Sequence, residues 1–225
     1  METPITRRAS LLTLGGLAAG ALGWKADDAL SAGDGPAGVA SGAITCVLTP
    51  ELTEGPYYLG GEKVRRDITE GRPGVRLGLA LSVVDASTCK PIKGAAVDIW
   101  HCDALGVYSG VQGNTGTFMR GIQRTDLHGL ARFTTVYPGW YAGRAVHIHV
   151  KVHLGGNVVH TGQFFFDDAL SDAVYKSAPY NTRGPRDVRD SNDSIYRNGG
   201  SKSLLKVVKS GSGYAGSITM GVHRS

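Results

Sequence analysis

The chain reads as all-β: a single antiparallel β-sandwich with long loops and little helix. Three observations predict this. From residue 75 onward apolar residues recur with period two, the pattern of half-buried strands. Turn-forming clusters separate those runs. Glycine, at 33 of 225 residues, is about twice its usual share. With neither a strict repeat nor an excess of proline, that abundance means many tight turns.

The N-terminus precedes the sandwich. Thr6-Arg7-Arg8-Ala9-Ser10-Leu11-Leu12 leads into an uncharged apolar run from Leu11 to Gly23. Paired arginines before a short hydrophobic stretch are similar to a twin-arginine export signal. The run falls well short of the ~20 residues that span a bilayer, so no permanent membrane anchor is expected. Residues 1–43 are therefore read as signal and spacer, and 44–225 as one domain, long enough for a sizeable core.

Within that domain Leu77, Leu79, Leu81 and Val83 share one strand face, with Arg76, Gly78, Ala80 and Ser82 opposite. Further strands are predicted at Ala95–Cys102, Met119–Thr125, Leu130–Val136, Ala145–His153 and Val158–Phe166, and two more near Ser203–Val208 and Ala215–Val222. Asp126-Leu127-His128-Gly129, Pro138-Gly139 and Gly155-Gly156-Asn157 are turns between them. Asp167–Lys176 is the one helical stretch, and the polar 177–201 reads as a long surface excursion.

The net charge of +5 is mild and its Lys and Arg residues are scattered, which argues against a nucleic-acid groove. A weak positive field would still favour anionic aromatic ligands. Of three cysteines, Cys46 and Cys89 lie near turns at segment edges and are the expected disulfide, while Cys102 sits in a strand as a small buried residue.

The chemistry centres on Val146-His147-Ile148-His149-Val150. Residues i and i+2 of a strand project from one face about 7 Å apart at Cα, so both imidazoles can reach one metal ion. Paired surface histidines also arise without any metal. Two tyrosines change the balance: Tyr108, ending Asp98-Ile99-Trp100-His101-Cys102-Asp103-Ala104-Leu105-Gly106-Val107-Tyr108, and Tyr141 in Pro138-Gly139-Trp140-Tyr141, ahead of His147.

Those segments, with Arg144-Ala145-Val146-His147-Ile148-His149, Gln163-Phe164-Phe165-Phe166 and the upstream Thr53-Glu54-Gly55-Pro56-Tyr57-Tyr58, resemble the intradiol ring-cleavage dioxygenases in order and spacing. The resemblance implies one mononuclear non-haem Fe(III) held by Tyr108, Tyr141, His147 and His149. It further implies a catechol-type substrate and O2 as partners, and ring opening between the hydroxylated carbons to a muconate-type diacid. By the same likeness, Tyr141 takes up a substrate proton, Arg144 stabilises charge on the ring, and Gln163 is a polar residue that either supports the site from behind or faces the substrate. The donor set suits the ion: Fe(III) is hard, phenolate oxygens are hard anions, and a trivalent charge holds phenols deprotonated far below their usual pKa. Asp98 and Trp100 are expected to pack and hydrogen-bond near the site, and His101 and His153 to be structural or exposed. The segment that makes helical dimers of many relatives has no evident counterpart, so their dimer contacts are not expected here.

Two rivals remain on sequence. Val84-Asp85, Pro91-Ile92-Lys93-Gly94 and Pro138-Gly139-Trp140-Tyr141 also resemble transthyretin-like and adhesin-repeat sandwiches, which bind without catalysis. A copper redox protein with a His-x-His strand is the other, though it needs additional histidines.

Overall fold

Two four-stranded sheets face one another across an apolar core in the computed structural model, which describes Cys46 and residues 48–224. The export-signal expectation for residues 1–43 lies outside the described residues. Nowhere among the described residues is a helix long and apolar enough to cross a membrane.

The first sheet runs in the order β4-β1-β8-β7, from β1 (Arg76–Asp85), β4 (Leu130–Val136), β7 (Lys206–Ser210) and β8 (Gly213–Val222). The second runs β3-β2-β5-β6, from β2 (Ala96–Trp100), β3 (Arg120–Arg124), β5 (His147–Leu154) and β6 (Asn157–Phe165). Every expected strand is present, with ends displaced by up to three residues. One pairing differs in direction: β1 lies parallel to β8, with Leu79 opposite Gly216, and antiparallel to β4. Because β1 is the inner strand between β4 and β8, even its second face of Gly78, Ala80 and Ser82 is buried. Small side chains on that face permit this where larger ones would force the covering away.

Leu77, Leu79, Leu81 and Val83 of β1 meet Val97 and Ile99 of β2 and Ile148, Val150 and Val152 of β5 in the central core. Alternation then forces the partners of those residues onto the opposite face of the second sheet. Register lines them up there: Trp100 opposite His149, His149 opposite Gln163, His147 opposite Phe165, and Asp98 opposite Lys151. The segment leading into the domain covers this face. Leu52 N–H donates to Thr161 O (2.9 Å) and Ile122 N–H to Lys63 O (2.9 Å), pinning it at both ends.

The helical expectation is met by α1 (Asp168–Val174), with Asp167 as its N-cap accepting from Leu170 N–H. The stretch 177–201 is not a plain surface excursion. It holds short 3-10 turns and α2 (Ser194–Arg197), and buries Tyr180, Asp190 and Asp193. Tyr180 and Asp193 find partners in the body of the domain, Tyr180 Oη donating to Tyr137 O at 2.7 Å and Asp193 accepting from Arg144 Nε at 2.9 Å, so the loop folds inward. The Cys46–Cys89 disulfide is formed, with Cα atoms 5.5 Å apart, and Cys102 is a buried free thiol.

Candidate active site

Strand β5 presents His147 and His149 side by side, their Nε2 atoms 3.1 Å apart, and Tyr141 Oη lies 3.1 Å from His147 Nε2. His147 Nδ1 faces Ala145 O at 2.7 Å. A nitrogen against a carbonyl must carry the proton, which leaves Nε2 as the lone-pair atom turned toward the group. His149 is fixed by stacking: the Trp100 indole lies flat against it, 4.9 Å between centroids and 5° between planes. On its other side the backbone of Gly55 comes so close that an added Cβ would stand 3.1 Å from His149 Cε1. Gly55 also has a φ of +71°, so a side chain is disfavoured there twice over.

Tyr108 lies in the loop after β2. Its ring packs 5.6 Å from Tyr141, 6.4 Å from His149 and 4.6 Å from Tyr57. Its hydroxyl is buried without a hydrogen-bond partner. Burial, with Cys102 and Tyr141 nearby, raises its pKa well above the usual phenol value. Burial likewise pushes Tyr141 up to about 12, partly offset by Arg144. The histidines move the other way: burial, then Arg144, takes His147 down to about 3, and burial, then His147, takes His149 well below its ordinary value. Neutral imidazoles are the form that ligates metal.

The four groups therefore fit a cation. Two imidazole lone pairs and two phenol oxygens sit in one buried spot, where a positive ion would remove the cost of ionising the phenols and satisfy the orphaned Tyr108 hydroxyl. Tyr108, Tyr141, His147 and His149 could hold it. No group of three or more His, Cys, Asp or Glu side chains is placed to hold a metal ion among the described residues. A metal held here would draw on tyrosine oxygen as well as imidazole, a donor set suited to a hard ion. Two other histidines are engaged elsewhere. His101 bonds Cys102 O (2.7 Å) and Thr135 Oγ1 (2.8 Å), and His160 lies 3.2 Å from Glu51. His153 is half-buried on β5.

The structure brings Arg144 and Gln163 together: Arg144 Nη2 donates to Gln163 Oε1 (2.6 Å), and Gln163 Nε2 donates to Thr53 O (2.8 Å). Sequence reasoning missed two residues behind the site. Asp193 accepts from Arg144 Nε at 2.9 Å. Arg120, 1% exposed, donates to Ser109 O and Tyr57 O, and its guanidinium stands 6.0 Å from the Tyr108 ring. Neither carried a spacing signal.

The profile of a protein family described as Dioxygenase matches residues 53–193, which contain every residue of this site. An intradiol ring-cleavage dioxygenase from Tetranychus urticae shares the fold with a TM-score of 0.76 and 37% identity, over 79% of this chain and 95% of that one. The chain belongs to the intradiol ring-cleavage dioxygenase family. Within that family it is similar to the dioxygenase domain of a carbohydrate-binding fusion protein from Streptomyces sp. SirexAA-E, at 29% identity and a TM-score of 0.63 over 79% of this chain and 99% of that one. It is also 28% identical over 139 residues to the chlorocatechol 1,2-dioxygenase of Pseudomonas putida, covering 51% of this chain and 52% of that protein. The chain spans about half, or less, of the length of the curated relatives it matches.

Proposed function

We propose that this chain is an exported intradiol dioxygenase that binds one mononuclear non-haem Fe(III) and uses O2 to open a catechol-type ring between its hydroxylated carbons, giving a muconate-type diacid. The observation that carries the reading is the meeting of Tyr108, Tyr141, His147 and His149, with both Nε2 atoms and Tyr141 Oη within 3.1 Å of a neighbour in the group. Export rests on Arg7-Arg8 and the apolar run that follows.

When bound, Fe(III) would supply a Lewis-acid centre that takes a deprotonated catechol and draws electron density from its ring. The remaining roles belong to side chains. Tyr141 is half-buried where Tyr108 is 3% exposed, so Tyr141 is the one substrate can reach. Its Oη, as phenolate, is the atom placed to accept a catechol proton. Arg144 brings a fixed positive charge against that oxygen, lowering its pKa relative to burial alone, and is equally placed to stabilise negative charge on the substrate. The packed rings of Trp100, Tyr57 and Tyr108 exclude water from the floor of the site.

The test is a visible absorption spectrum of the purified protein, with metal analysis on the same sample. A broad tyrosinate-to-Fe(III) band, stoichiometric iron and a shift on adding catechol are expected. In Tyr108→Phe or His147→Ala, iron affinity should fall by about tenfold or more. A protein that stays colourless after reconstitution with Fe(III) would overturn the reading in favour of a non-catalytic binding sandwich.

A further inference from the structure

We infer that Asp193 is a positioning residue for this site, aiming the Arg144 guanidinium and bracing the turn that orients His147; the inference rests on the reading of Arg144 given above. Asp193 arrives from the loop between α1 and β7, far in sequence from the metal-binding strand, and is 2% exposed. One carboxylate oxygen, Oδ2, accepts from Arg144 Nε at 2.9 Å and from Ala145 N–H at 2.8 Å. The other, Oδ1, accepts from Ile195 N–H at 2.8 Å and Tyr196 N–H at 2.9 Å, capping α2. All four bonds are made inside the protein, two of them to the site and two to the loop that delivers the residue.

The consequence for Arg144 is geometric. Gln163 Oε1 takes one Nη2 hydrogen at 2.6 Å and Asp193 takes the Nε hydrogen, so the fork is gripped on two sides. Of the five N–H groups of a guanidinium, three remain for the substrate side. A long, rotamer-rich side chain held this way loses little freedom when substrate binds. The same carboxylate fixes the Ala145 peptide, whose residue accepts from His147 Nδ1 at 2.7 Å. Ala145 is thus held by Asp193 on its N–H and by His147 on its carbonyl. A chain of two hydrogen bonds connects the buried carboxylate to the ring whose Nε2 faces the metal position.

A capping role alone would explain Oδ1 but not Oδ2, and the experiment separates the two. Asp193→Ser keeps an oxygen able to cap the Ile195 and Tyr196 N–H groups and lacks one for Arg144. In the full-length, iron-loaded protein it should bind iron and lose kcat by about tenfold or more with catechol. In an Arg144→Gln background the same change should cost clearly less, because the part of its effect that passes through Arg144 is already lost and only the part through the Ala145 peptide remains. An equal loss in both backgrounds, or wild-type kcat in Asp193→Ser, would overturn the proposal. Asp193→Asn serves the same cycle if the serine variant does not fold. Hydrogen exchange at the Ala145 amide, followed by mass spectrometry, is independent of turnover. That amide should be protected in the parent protein, and open exchange there would also overturn the proposal. A parent protein that fails to open catechol rings would instead refute the functional reading, and the exchange result would then decide the clamp alone.

Discussion

Arg120 is the largest charged side chain fully enclosed by the domain, and its bonds explain why it is tolerated there. Nε and Nη2 donate to Ser109 O (3.1 and 2.9 Å), Nη1 donates to Tyr57 O (2.8 Å), and Glu62 lies 3.8 Å away. It thereby ties the residue after Tyr108 to the segment that covers the site. Arg120→Met keeps most of the volume but leaves two carbonyls and Glu62 without their cation. The expected cost is about 2–4 kcal/mol in urea unfolding, with weakened iron binding. An unchanged midpoint would show that the buried charge is dispensable. At this scale the sequence was partly legible. His147 and His149 announced themselves because strand alternation makes i and i+2 neighbours. Tyr108 and Tyr141 stood out near the pair, but their assignment as ligands came through family resemblance, since the loops that carry them have no period. Arg120 and Asp193 were hidden, because on a short strand or in a polar loop a charged residue looks solvated until its distant partners are known.

Strands were the most legible elements, and their junctions the least. Alternation located β1 to β8 but carries no direction, so the parallel β1–β8 pair could not be read from it. A four-residue helix such as α2 is too short for a periodic signal, and its Asp193 cap resembles any turn aspartate. The second sheet also illustrates what its outer face costs. Asp98 of β2 is buried beneath the covering segment with neither carboxylate oxygen in a regular hydrogen bond. Burial first, then the nearby Glu62, pushes its pKa up to about 7, against the partial relief of Tyr58, Arg120 and Lys151. The folded protein therefore binds a proton at Asp98 that the unfolded chain has already lost above about pH 4. Its contribution to stability is greatest below about pH 4 and declines as pH rises through 7. Asp98→Asn resembles the protonated acid and removes that slope. The variant should match the parent near pH 4, draw ahead as pH rises toward 7, and exceed it by about 1–3 kcal/mol at pH 8 in denaturant titrations. Identical slopes in the two proteins would show that Asp98 is not the group responsible.

For the molecule as a whole, the disulfide and the proposed N-terminal signal bear on one question, the compartment in which the domain works. Cys46 stands just before the segment that crosses the site, and Cys89 follows β1, 43 residues later. Closing a loop of that length restricts the unfolded chain by about 3–4 kcal/mol, and it fastens the site's covering segment to the first sheet. Such a bond persists in oxidising surroundings and is reduced in most cytosols. Export through a twin-arginine signal would deliver the folded chain to the side of the membrane where the bond survives. Replacing Arg7 and Arg8 together with Lys should therefore change two things at once. The protein should remain in the cell extract rather than the exported fraction, and alkylation after denaturation should label Cys46 and Cys89 as well as Cys102. The unaltered protein, recovered from the exported fraction, should label at Cys102 alone. Unchanged localisation in the lysine variant would remove the twin-arginine assignment. Labelling of Cys46 and Cys89 in exported protein would separate the disulfide from any role in stabilising the site outside the cell.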